Sequence, residues 1–157
     1  MRLAGLPRVM VLLLAVMLMP AMAAPARAMC MVSASPIDFG KYSAIDSEWV
    51  VSAGTISYTC TGPLPFGIKI AIGRDDAAGD LRRVMRGGGS KLPYFLTLDP
   101  RGSVPFGDGS EGSTVYYNAH PPRNRTVTIQ VYGRIPPGER VPANQTFHDA
   151  VPIVAYY

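Results

Sequence analysis

Two cysteines, Cys30 and Cys60, are the residues of this sequence best suited to covalent chemistry. In an oxidising compartment such a pair defaults to a disulfide, whereas a reducing one would favour metal binding or a redox role. The second option finds no support, because there is no Cys-x-x-Cys and neither His120 nor His148 sits beside a cysteine or a carboxylate pair. Other chemistry is equally scarce. No Gly-x-Ser-x-Gly elbow occurs. His120, followed by Pro121-Pro122, reads as a loop residue, and His148 as facing solvent on the final strand. Asp75, Asp76 and Asp80 share a loop but lack the Asp-x-Asp-x-Asp-Gly pattern and distal Glu of a calcium site. Gly107-Asp108-Gly109-Ser110 reads as a tight turn, since Gly tolerates positive φ. Gly87-Gly88-Gly89 has neither the Lys-Ser/Thr nor the helix of a phosphate loop. Arg82, Arg83 and Arg86 read as one solvated face, and Trp49, beside Val50 and Val51, as core. The expectation is a protein that is not an enzyme, with no catalytic residue, metal site or cofactor.

The elements that must position these residues are strands. Ile56, Tyr58 and Cys60 alternate with Thr55, Ser57 and Thr59; Phe66, Ile68, Ile70 and Ile72 alternate with Gly67, Lys69 and Ala71. Leu92, Tyr94, Leu96 and Leu98 form a third run, Val127, Ile129 and Val131 a fourth, and Phe147, Val151, Ile153, Ala155 and Tyr157 a last one. Period two over four to eight residues marks a half-buried strand. The 16 glycines and 15 prolines are about a fifth of the chain, against an average of roughly 12%. They cluster between the runs as turns. Short strands separated by turns predict an antiparallel β-sandwich.

The first 28 residues read as a secretory signal peptide. Arg2 and Arg8 make the basic start, and Val9 to Met19 an uninterrupted apolar stretch. Cleavage after Ala23 or Ala28 satisfies the small-residue rule, leaving one domain over 29–157. Eleven apolar residues would span only about 16 Å as a helix, too short for a bilayer core of about 30 Å. No stable membrane insertion is expected. The formal charge of +4 rests on 15 basic and 11 acidic residues. Losing Arg2 and Arg8 brings it to +2, and losing Arg27 as well to +1. With no basic cluster on a recognisable helix, nucleic acid is not an expected partner.

The sequence ends at Tyr157 within an apolar run. An apolar strand there must be covered. It is either a central strand or the border of a place where a partner strand is expected, and periodicity alone does not separate the two.

Six patterns, in order, resemble the spore coat protein U family, the secreted pilins of archaic chaperone–usher pathways. They are Phe39-Gly40-Lys41-Tyr42 after Cys30, Gly54-Thr55-Ile56-Ser57-Tyr58-Thr59-Cys60, and Leu92-Pro93-Tyr94-Phe95-Leu96 with Asp99. Phe106-Gly107-Asp108-Gly109, Val131-Tyr132-Gly133-Arg134-Ile135 and the alternating run from Phe147 to Tyr157 complete the set. Phe106 stands where the family more often has tryptophan. The resemblance implies an immunoglobulin-like sandwich that lacks its last strand. A periplasmic chaperone would lend that strand, and a neighbouring pilin subunit would replace it at an outer-membrane usher. It implies a Cys30–Cys60 disulfide and an acceptor groove lined by Phe147, Val151, Ile153, Ala155 and Tyr157. The protein would pass through the periplasm to a surface fimbria or coat. Few residues precede Cys30 after either cleavage, so the subunit is expected to accept a strand more readily than to donate one, as a tip or minor subunit. The competing expectation is a tip adhesin or stand-alone secreted binding module, for which Tyr116-Tyr117 is the aromatic candidate.

Overall fold

The computed structural model describes residues 28–73 and 81–157. The period-two runs become antiparallel strands: β1 (Met29–Ala34), β2 (Val50–Thr61), β3 (Ile68–Ile72), β4 (Arg83–Gly87), β5 (Ser90–Thr97), β6 (Tyr116–Asn118), β7 (Thr126–Ile135) and β8 (Ile153–Tyr156). Among the described residues there is no helix, and so none long and apolar enough to cross a membrane. Asp75, Asp76 and Asp80 lie outside the described residues.

Two sheets form, one of five strands in the order β1-β2-β7-β5-β4 and one of three in the order β6-β3-β8. Their inward faces share one core. Ile56, Tyr58, Leu92, Tyr94, Leu96, Ile129, Val131 and Ile135 come from the larger sheet, and Ile68, Ile70 and Ile72 from the smaller. This is the expected antiparallel sandwich. Cys30 and Cys60 are direct cross-strand partners in β1 and β2 and are joined by a disulfide. The β4–β5 hairpin turns through Gly88 and Gly89, both at positive φ (52° and 82°), between the paired residues Gly87 and Ser90. The triple glycine is therefore a two-residue hairpin turn. Asp108 accepts from the Ser110 backbone N–H at 2.9 Å, and Gly109 has φ 91°, so the Asp-Gly pair is a tight turn as expected.

Four expectations need correction. Arg83 is not part of a solvated face. It shares the inward parity of Met85, pairs with Tyr94, and is 6% exposed. Trp49 is not core. It shares the outward parity of Val51, which faces away from the sandwich, and is 44% exposed. Phe66 does not begin β3, because the Leu64 carbonyl accepts from the Gly67 N–H at 3.1 Å and folds the Pro-flanked stretch into a turn. The final strand is shorter than the run from Phe147 to Tyr157 suggests. Pro152 has no N–H to donate, and β8 begins only after it. His148 is exposed but precedes β8. Its backbone exchanges two hydrogen bonds with Arg86, at 2.9 and 3.1 Å, on the edge of β4.

Candidate functional site

An open groove of about 1330 Å³ runs between two irregular segments of the chain, 34–44 and 141–151. Its floor is the core itself. Ile56, Ile72, Met85, Leu92, Tyr94, Leu96, Val131 and Ile135 all line it.

The first wall is laid across β2 and β7, and two strand glycines make room for it. A Cβ on Gly133 would stand 2.4 Å from the Phe39 ring and 3.0 Å from Ile37. One on Gly54 would stand 2.8 Å from Ile37 and 2.9 Å from the Ser35 carbonyl. Glycine within a strand here marks close approach by another segment. The wall is fixed by polar contacts. The Tyr42 hydroxyl donates to the Pro136 carbonyl at 3.0 Å and accepts from the Glu139 N–H at 2.8 Å. Ser52 donates to the Asp38 carbonyl at 2.5 Å, and Phe39 meets Tyr94 edge-on with centroids 5.9 Å apart.

The second wall carries three of the five residues expected from the sequence. Phe147, Val151 and Ile153 are half-buried and line the groove. Ala155 is half-buried in β8 opposite Ile70, packed against the core but off the lining. Tyr157 lies beyond β8, is 54% exposed, and is also off the lining. One side of β8 pairs with β3, and among the described residues no strand runs along the other.

At one end the groove becomes polar. The Tyr94 hydroxyl donates to Asp149 Oδ2 at 2.6 Å and accepts from Arg83 Nε at 3.2 Å, and Arg83 Nη1 donates to the Gly73 carbonyl at 2.6 Å. Arg83 Nε lies 3.6 Å from the same Asp149 oxygen. Burial first, then the hydrogen bond to Asp149, raises the Tyr94 hydroxyl well above the usual phenol range. A buried arginine needs such a partner. Its sequence signals are the two-residue step from Met85 and the aspartate two residues after Phe147.

The opposite wall of Ile37, Phe39 and Tyr42 was not expected as groove lining, although Phe39 to Tyr42 forms one of the family-like patterns. Among the described residues there is no cluster of three or more His, Cys, Asp or Glu able to hold a metal ion.

No curated protein matches the chain. The sequence profile of the Spore Coat Protein U domain matches residues 16–153, beginning inside the stretch read as a leader. That domain is associated with fimbrial and coat subunits of chaperone–usher pathways. With nearly the whole chain matched and its antiparallel sandwich and disulfide in place, this protein belongs to the Spore Coat Protein U domain family.

Proposed function

We propose that this chain is an exported structural subunit of a surface fimbria or coat, completed by a strand that another protein supplies. The groove carries the reading: about 1330 Å³ of open space over core side chains, beside a final strand that among the described residues has one neighbour. Added strands bind in this way, with edge backbone groups giving affinity and pockets for alternate side chains giving register. On this reading Phe147, Val151 and Ile153 form the acceptor wall, Ala155 and Tyr157 continue the chain past the groove, and Ile37 and Phe39 face the wall. A periplasmic chaperone fills the groove first. A neighbouring subunit then replaces it at an outer-membrane usher. A leader within residues 1–28 directs export and is removed after Ala23 or Ala28, and the Cys30–Cys60 bond suits an oxidising destination.

Met29–Ala34 is already paired with β2 and held there by the disulfide. A donated strand would have to come from residues before Met29. Cleavage after Ala23 leaves residues 24–28 for this, and cleavage after Ala28 leaves none. The chain therefore acts as a strand acceptor, at a tip or as a minor subunit. Its recovery as the main component of long fibres, cross-linked to its own copies through residues 24–28, would contradict that position.

The assembly reading is tested by periplasmic co-expression with and without a pilus chaperone from the same genome, followed by native mass spectrometry. The expected result is a one-to-one complex, with the lone chain degraded or aggregated. A stable monomer that ignores the chaperone would overturn it. A second reading, a binding module at a tip, is favoured by the exposed Trp49.

A further inference from the structure

We propose that the outward face of the five-stranded sheet, around Trp49, Phe95 and Arg134, binds an anionic polysaccharide. This face is turned away from the core and the groove, so the inference stands apart from strand acceptance. Its centre is a stack of rings and cations. Trp49 and Phe95 have centroids 5.9 Å apart, the Arg134 guanidinium lies 4.8 Å from the Trp49 ring, and that of Arg82 lies 6.0 Å from Phe95. Phe95 and Arg134 are cross-strand partners, and Trp49 leaves 44% of its surface to solvent. The Arg134 guanidinium covers part of the indole and donates to the Arg101 carbonyl, so it supplies charge, and the 44% of Trp49 left to solvent is the apolar surface offered to the C–H face of a sugar ring.

Charge on this sheet has one sign. None of its five strands contains Asp or Glu, whereas Arg86, Lys91 and Arg134 point outward from β4, β5 and β7. Arg86 and Lys91 are direct partners, four residues along the strand from the Arg82–Phe95 row, or about 13 Å. The nearest loop carboxylate in the sequence after β5, Asp99, is occupied by its own turn. It accepts from the N–H groups of Arg101, Ser103 and Val104 and from the Ser103 hydroxyl. Asp46 and Glu48 are the acidic groups on the segment that leads into Trp49.

The remainder of the face selects the class of polyanion. Beyond the aromatic row lie Tyr132, then Gln130 with Thr55, then Ser57 with Thr128, whose hydroxyls are 3.0 Å apart. Each paired hydroxyl keeps a lone pair for another partner. A strip of hydroxyls in line with rings and cations matches a hydroxyl-rich polymer better than a lipid surface.

The test is affinity electrophoresis of the folded chain, alone or with a chaperone bound, through polygalacturonate, dextran sulfate and neutral dextran at low ionic strength. Retardation by an acidic polymer and not by neutral dextran is expected, weakening as salt is added. Trp49→Ala should weaken it about tenfold, Trp49→Phe should keep most of it, and Arg86→Gln with Lys91→Gln should cost about tenfold and flatten the salt dependence. Chaperone binding should be unchanged in all three. Absence of retardation, equal retardation by neutral dextran, or indifference to Trp49→Ala would overturn the proposal. Equal or tighter binding through the same residues to an oligothymidine strand or to phosphatidylserine vesicles would overturn the assignment to polysaccharide.

Discussion

Asp149 ties the segment before β8 to the larger sheet, because its carboxylate meets Tyr94 from β5 and Arg83 from β4. Its side chain is 21% exposed and that of Arg83 is 8% exposed, so removing the carboxylate strands a buried cation. Asp149→Ala should cost about 3 kcal/mol, at the lower end for a buried pair because of that residual exposure. Replacing both, as Arg83→Met with Asp149→Leu, should recover most of the loss. Urea midpoints of the two variants against the parent chain check this, and a double variant no better than Asp149→Ala would contradict it. Tyr58 sets an alkaline limit. Burial first, then its contact with the Tyr116 hydroxyl, pushes its own hydroxyl up to about 12, with the Asn118 amide pulling the other way. The unfolded chain loses that proton near pH 10 while the folded chain keeps it. The contribution is therefore intact below pH 10 and lost as pH rises towards about 12. Tyr94 acts in the same direction. Denaturation midpoints should fall over that interval, and Tyr58→Phe should make the fall shallower; a slope unchanged by the substitution would contradict the assignment.

At the scale of elements, the groove wall depends on two glycines and one covalent bond. Gly133→Ala would press on the Phe39 ring from 2.4 Å, and Gly54→Ala on the Ser35 carbonyl from 2.9 Å. Each should cost about 1–3 kcal/mol by forcing the wall away from the sheet. Each should also weaken chaperone binding, which an alanine on the distant outward face would not do. Removing the Cys30–Cys60 bond as paired serines should cost roughly 3.5 kcal/mol by freeing a loop of about 30 residues, read as a shift in thermal midpoint. Most strands were legible as alternation: Ile56, Tyr58 and Cys60 in β2 and Leu92, Tyr94 and Leu96 in β5 all turn inward. Alternation reports which residues share a face, not which face is wet at an element's end. Trp49 and Phe66 were misplaced for that reason, each lying just outside a strand. Arg83 was misread because residue type outweighed its parity with Met85. The wall of Ile37 and Phe39 has no period at all. It is irregular chain seated by glycines that read as strand defects until the segment above them is seen.

For the molecule as a whole, the core is continuous but not closed. Two sheets bury their inward faces against one another, yet eight core residues also floor an open groove. The half-buried Phe147, Val151 and Ile153 beside that floor, with the open edge of β8, favour association over a stable free monomer. The account's central claim is that a partner's strand lies along β8, between it and the segment 36–44. Hydrogen–deuterium exchange of the chain with its chaperone tests this most directly, because an added strand protects edge amides that the free sheet leaves to water. The account predicts strong new protection across Ile153–Tyr156 and residues 36–44, with the outward face of the five-stranded sheet unchanged. A tight complex that leaves the β8 amides exchanging as before, with protection elsewhere, would contradict it.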